Sequence, residues 1–136
     1  MNCVLDTSAL LAHFFNEPGQ VEVSKLFADP DRTIGISVLT IYELNTRLRV
    51  LGLNGAEIKS TITAYCQTLD FVAPVTEEIA DLAAELRSNA KQRVAAVDVL
   101  IAATAVSKGA TLVHRDPHFT VLTSGRPQQI ILPTKN

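Results

Sequence analysis

Apolar positions along this chain recur in two rhythms that take turns. Asn2-Cys3-Val4-Leu5 is a short β-leaning run ended by Asp6-Thr7-Ser8, and Ala9 to Phe15 then supplies a helical stretch closed by Pro18-Gly19. Val21, Val23, Leu26 and Phe27 fit a helix that stops at Asp29-Pro30-Asp31, and Thr33 to Ser37 reads as a second strand. Ile41, Leu44, Leu48 and Leu51 mark a helix from Val38 to Leu51 ended by Gly52; Asn54-Gly55 opens another through Leu69, so this pair is expected to form a helical hairpin. Phe71 to Val75 reads as a third strand. Thr76-Glu77-Glu78 then begins a helix with a hydroxyl cap and early acids, apolar at Ile79, Leu82, Ala83 and Leu86. Val97 to Lys108 is an alanine-rich, almost wholly apolar helix ended by Gly109, followed by a strand at Ala110 to Val113 and a last strand at Ile130 to Leu132.

Strands that alternate with helices predict a parallel sheet covered on both faces, an α/β sandwich. No repeat, linker or low-complexity tract divides the chain, so residues 1–136 are expected to form one domain. At 136 residues, 47% hydrophobic and 19% charged, such a chain can bury about two-thirds of its unfolded surface without disulfides or a structural metal. No apolar run approaches the ~20 residues that cross a bilayer, and the N-terminus lacks the basic flank and small-residue cleavage site of a signal peptide; a cytoplasmic protein is expected. Cys3 and Cys66 lie among apolar residues without C-x-x-C spacing and read as reduced thiols.

Twelve Lys+Arg against fourteen Asp+Glu leave a net charge of -2, with no global basic footprint for gripping nucleic acid. Local charge carries the argument instead. In an open parallel sheet ligands bind beyond the carboxyl ends of the strands, and here the residues that follow the strands are acidic or hydroxylic. Asp6 directly follows the first strand and Asp116 follows Leu112-Val113, so the two carboxylates share a rim if those strands are neighbours. Each also has an ordinary structural reading, Asp6 as a helix N-cap and Asp116-Pro117 as a turn pair. Asp98 interrupts a helix that should be buried around most of its circumference. An unpaired carboxylate there costs several kcal/mol or becomes protonated, so it needs a cation, a metal or a role as N-cap. Glu43 lies one to two turns into its helix, where an i,i+4 pair with Arg47 would account for it at a few tenths of a kcal/mol.

Jointly the four acids say more than any one of them. Carboxylates gathered on one rim repel each other, and a hard divalent cation with oxygen ligands keeps them ionised; Mg²⁺ or Mn²⁺ fits best. Such a site can orient and activate water for phosphodiester hydrolysis. The histidines His13, His114 and His118 show no ligand spacing for zinc, and none is needed as general base if the metal acidifies its water. His114 or His118 near the site would be placed to protonate a leaving group.

The runs V-L-D-T-S-A-L-L (Val4 to Leu11), S-V-L-T-I-Y-E-L (Ser37 to Leu44), A-V-D-V-L-I-A-A-T-A (Ala96 to Ala105) and L-V-H-R-D-P-H-F (Leu112 to Phe119) occur in order. In order, spacing and length the chain resembles PIN-domain proteins, specifically the VapC-type ribonuclease toxins of toxin–antitoxin pairs, over essentially its whole length. The resemblance implies a three-layer α/β/α Rossmann-like fold with a mostly parallel central sheet. It implies a Mg²⁺- or Mn²⁺-dependent endoribonuclease whose acidic cluster, catalytic and metal-binding, is Asp6, Glu43, Asp98 and Asp116. Carried over residue by residue, Thr7, Ser8 and Ser37 would hydrogen-bond a metal-bound water or a carboxylate, with helix capping as the alternative for each. His114 departs from the pattern, since many relatives carry a small hydroxyl residue there. An RNA substrate, a cognate antitoxin lying over the active site and a homodimer are also implied, with the helices at Val21 to Ala28 and Asn54 to Leu69 as contact surfaces or as plain core.

Setting the four acids aside turns the net charge from -2 to +2, so the site is the negative feature and the metal must precede the RNA. Arg47, Arg87, Lys91, Arg93 and Arg115 are candidates for holding flanking phosphates, although Arg87 to Arg93 also reads as a solvated helix end. Haloacid-type phosphatases need a second Asp where Ser8 stands, response receivers need adjacent acids after the first strand, and the patterns G-x-x-x-x-G-K-[ST] and G-x-S-x-G are absent. The rival reading is a PIN-like scaffold that binds RNA or protein without catalysis.

Overall fold

β1 (Asn2–Leu5) sends Cys3 and Leu5 to one face of a sheet and Val4 to the other, and all three are fully buried, so both faces must be covered. The computed structural model, which describes residues 1–122 and 125–134, shows how. After β1 come α1 (Thr7–Phe14), α2 (Gln20–Ala28), β2 (Thr33–Ser37), α3 (Val38–Val50), α4 (Gly55–Thr68), β3 (Phe71–Ala73), α5 (Glu77–Ser88), α6 (Ala96–Ser107), β4 (Ala110–His114), a 3₁₀ turn (Pro117–Val121) and β5 (Gln129–Ile131). The five strands pair in the order β3-β2-β1-β4-β5, each pair parallel. Leu10 of α1, Val23 of α2, Leu44 of α3 and Ile58 of α4 pack with Cys3, Leu5 and Val113 on one face; Ile79 of α5 and Ile101 of α6 pack with Val4 and Leu112 on the other. The result is the three-layer α/β/α sandwich expected from the strand and helix rhythm.

Boundaries differ from the sequence reading where local chemistry intervenes. α1 starts at Thr7 rather than Ala9 because the Asp6 side chain accepts from Ser8 N–H and satisfies a first-turn donor. β3 stops at Ala73, before Pro74, which has no N–H for the ladder. α6 starts at Ala96 with Ala95 as its N-cap, so Asp98 is neither the cap nor deep in an apolar helix; it stands in the first turn. β5 lies one residue earlier than expected. Both cysteines are free thiols, Cys3 buried and Cys66 partly so.

Two features fix the sheet. Gly35 of β2 is paired with Phe71 of β3, and a Cβ at Gly35 would stand 2.3 Å from Phe71 Cε2, so the aromatic ring occupies the space a side chain would need. The register of β1 against β4 places Leu5 beside Val113, and Asp6 N–H continues the ladder by donating to Val113 O at 2.9 Å. The chain runs outward from β1 to β2 and β3, then returns to place β4 on the other side of β1. Connections leave β1 and β4 in opposite directions, which opens a crevice at their carboxyl ends.

Candidate active site

That crevice is a cleft of about 590 Å³ whose lining includes Asp6, Glu43, Asp98 and Asp116. Strand pairing accounts for two of them: Asp6 follows β1 and Asp116 follows the adjacent β4. Glu43 reaches the cleft from the second turn of α3 and Asp98 from the first turn of α6.

Each acid is held by a local device. Asp6, 3% exposed, caps α1, and its Oδ2 accepts from both Ser8 N (3.0 Å) and Ser8 Oγ (2.7 Å). Ser8 Oγ in turn accepts from Arg115 N–H at 2.9 Å, which ties the start of α1 to the segment after β4. Thr7 Oγ1 donates to Glu43 Oε1 at 2.7 Å, so Glu43 is anchored on α1 rather than paired with Arg47. Asp116 caps the 3₁₀ turn by accepting from His118 N–H at 2.9 Å, with Pro117 in its first turn. Capping and service in the cleft are therefore compatible for Asp6 and Asp116. Ser37 is different: it is buried, caps α3 by accepting from Leu39 N–H at 3.1 Å, and does not line the cleft.

The charges are unbalanced. Among the described residues no lysine or arginine is ion-paired with any of the four carboxylates. Burial raises the proton affinity of Asp6 against the opposing hydrogen bonds from Ser8 and Thr7, with the Asp116 charge adding to the rise. Glu43 is raised by burial, opposed by Thr7, and raised further by Asp6 and Asp116. Asp98 is pushed up to about 6, first by burial and then by the charges of Asp6, Asp116 and Glu43, with His118 acting the other way. An all-oxygen, mutually repelling donor set of this kind suits a hard divalent cation.

Of the five basic residues considered for phosphate contact, Arg47 and Arg115 line the cleft, whereas the exposed Arg87, Lys91 and Arg93 do not. The Arg115 guanidinium is already engaged, by Glu17 Oε1 at 2.9 Å and Pro18 O at 3.0 Å. His114 is fully buried: Nδ1 accepts from Asp116 N–H at 3.1 Å, which leaves the ring proton on Nε2 to donate to Gln129 Oε1 at 2.7 Å. Gln129 Nε2 then donates to Phe119 O, so His114 ties β4, the 3₁₀ turn and β5 together and has no free nitrogen for proton transfer.

One cleft residue has no role in the sequence reading: Tyr42, 64% exposed, is the neighbour of Glu43 and enters there only within the run Ser37 to Leu44. His118, expected near the site as a proton donor and without zinc-ligand spacing, places its Nδ1 2.9 Å from Asp116 Oδ1 and belongs to a group with Asp98 and Asp116 whose ligand atoms lie within 4.8 Å of one another. The available signal was Asp-Pro-His itself, since a capped turn folds the third residue back over the first.

Solved structures with this fold are numerous. VapBC2 from Rickettsia felis, bound to a DNA fragment from its promoter, superposes with a TM-score of 0.79 at 19% identity over 98% of this chain and 100% of that one. VapBC-5 from Mycobacterium tuberculosis, of the VapBC family of toxin–antitoxin systems, gives 0.62 at 29% identity over 96% and 97%. VapC20 of the same organism, a toxin that cleaves the sarcin–ricin loop, gives 0.69 at 20% identity over 92% and 99%. No curated protein matches the chain in sequence. The PIN domain family model matches residues 3–123, from β1 through the 3₁₀ turn and so across all four acids, and the chain belongs to the PIN-domain family.

Proposed function

We propose that this chain is a Mg²⁺- or Mn²⁺-dependent endoribonuclease and the toxin of a toxin–antitoxin pair. The observation that carries the reading is four carboxylates facing one cleft with no lysine or arginine paired to them. The similar folds of VapC20 and of several VapBC complexes support an RNA substrate and an antitoxin partner. A homodimer and a cytoplasmic location complete the proposal; no helix among the described residues is long and apolar enough to cross a membrane.

Asp6, Asp98, Asp116 and Glu43 are the residues to hold the cation, which when bound supplies Lewis acidity toward water and the phosphodiester. The chain's own work is positioning. Ser8 fixes one oxygen of Asp6, Thr7 fixes one oxygen of Glu43, and the cap at His118 N–H fixes Asp116. Arg47, exposed on the cleft wall and without a carboxylate partner among the described residues, holds a flanking phosphate. Arg115 contributes chiefly through its backbone bond to Ser8 and its brace to Glu17.

Purified chain incubated with structured RNAs plus Mg²⁺ or Mn²⁺, with and without chelator and beside a folded Asp98→Asn variant, tests this. Internal cuts that need the metal and vanish in the variant are expected. Equal cutting by the variant points to contamination, and no cutting by either across a broad RNA panel favours the non-catalytic binding scaffold.

A further inference from the structure

Asp116 and His118 flank Pro117 at the start of the 3₁₀ turn, and the cap from His118 N–H to Asp116 Oδ1 curls the backbone tightly enough to bring the imidazole back to its own capping residue. Asp98 arrives from a different element, the first turn of α6, 18 residues upstream of Asp116 in the chain. One ligand atom from each of the three nevertheless lies within 4.8 Å of the others. Donors around a single divalent ion, at ~2.0–2.3 Å per bond, stand about 3 Å apart when adjacent and about 4–4.6 Å when opposite, so these three need only close slightly to share one. His118 is 77% exposed on its side chain, so the ring closes the cluster from the solvent side and can settle onto an ion without rearranging the core. His114 has both ring nitrogens engaged in the protein, whereas His118 has only Nδ1 engaged among the described residues, by Asp116 Oδ1 at 2.9 Å.

Resting on the metal-dependent reading above, we infer that His118 supplies a nitrogen ligand to the cation held by Asp98 and Asp116. The consequence is selectivity. Mg²⁺ keeps to oxygen donors and gives up its waters reluctantly, whereas an imidazole suits Mn²⁺ and the later first-row ions. A site that adds an imidazole to its carboxylates therefore favours Mn²⁺ over Mg²⁺, and the His118 ring is the group responsible.

The test uses the full chain without RNA at about pH 7.5, where an ordinary imidazole is neutral. Mn²⁺ is titrated in and free Mn²⁺ is followed by electron paramagnetic resonance, with pulsed measurement of ¹⁴N hyperfine coupling on the bound ion and Mg²⁺ affinity taken by competition. Wild type is expected to show coupled ¹⁴N; His118→Ala is expected to lose it, to bind Mn²⁺ about tenfold more weakly, and to change Mg²⁺ affinity by less than about threefold. A melting temperature within about 3 °C of wild type checks that the variant is folded. Mn²⁺ bound by wild type without ¹⁴N coupling, and equally well by His118→Ala, overturns the ligand role and leaves a carboxylate site. Failure of wild type to bind Mn²⁺ at all overturns the metal-dependent reading and this inference with it.

Discussion

Thr7 Oγ1 donates to Glu43 Oε1 across 2.7 Å, and this one bond joins the first turn of α1 to the second turn of α3 at the wall of the cleft. It also opposes the burial and like charges that raise the proton affinity of Glu43. Thr7→Val keeps the shape and removes the donor. Glu43 should then shift further toward its protonated form, with kcat on RNA falling roughly tenfold and unfolding free energy falling by about 1 kcal/mol. Thr7→Ser should restore most of both. Single-turnover cleavage and urea melts provide the comparison, and a Thr7→Val enzyme of full activity would show that the anchor is dispensable.

Asp98 gives the metal-free protein a characteristic pH dependence. Its folded-state value, about 6, stands above the ordinary 3.8, so the folded chain holds this proton more tightly than the unfolded chain does. The associated stability is complete at low pH and is lost as pH rises from about 4 through about 6. In chelator, the melting temperature should fall between about pH 4 and pH 6, and Asp98→Asn should flatten that decline. Added Mg²⁺ should raise the melting temperature more at about pH 7 than at about pH 5, because protons compete for the same oxygens. Thermal melts across pH with and without the ion check the sign.

Arg47 sits one helical turn beyond Glu43 and is exposed on the cleft wall. Arg47→Ala should raise KM for RNA about three- to tenfold, leave kcat within about twofold, and reduce the salt slope of binding by about one. A loss confined to kcat would instead place the guanidinium at the reacting phosphate.

Gly35 tests the sheet rather than the chemistry. A methyl group there meets the Phe71 ring at 2.3 Å, and β2 and β3 are locked in register on either side of that contact. Gly35→Ala should cost about 1–3 kcal/mol of stability, with metal-dependent cleavage at low temperature largely retained. Denaturant midpoints measure the loss.

How far the sequence could be read follows from the range of each interaction. The strand β1 and its cap at Asp6 are local, written in four apolar-leaning residues and an Asp, and were legible. The adjacency of β1 and β4 that unites Asp6 with Asp116 is not local, since Leu5 pairs with Val113, and only a switch in strand order creates it. Asp98 is legible as out of place in an apolar helix and as lying near its start, but the start of α6 at an uncapped Ala95 carries no side-chain signal, so the sequence leaves N-cap and helix interior open as alternatives where the structure has the first turn. The apparent Glu43–Arg47 spacing misled for a similar reason: a partner four residues away is visible in the chain, whereas Thr7 on another helix is not. His118 is legible as a residue near the site, but its proximity to Asp98 is not, because Asp98 belongs to a separate element.

The insertion of β4 beside β1 has a temporal side. Asp6 is translated well before Asp116, yet neither rim half holds all four acids until that strand docks. On the proposed chemistry, a polypeptide still emerging from the ribosome, or one truncated ahead of Ala110, is harmless to RNA, and hydrolytic capacity arrives only with the finished sheet.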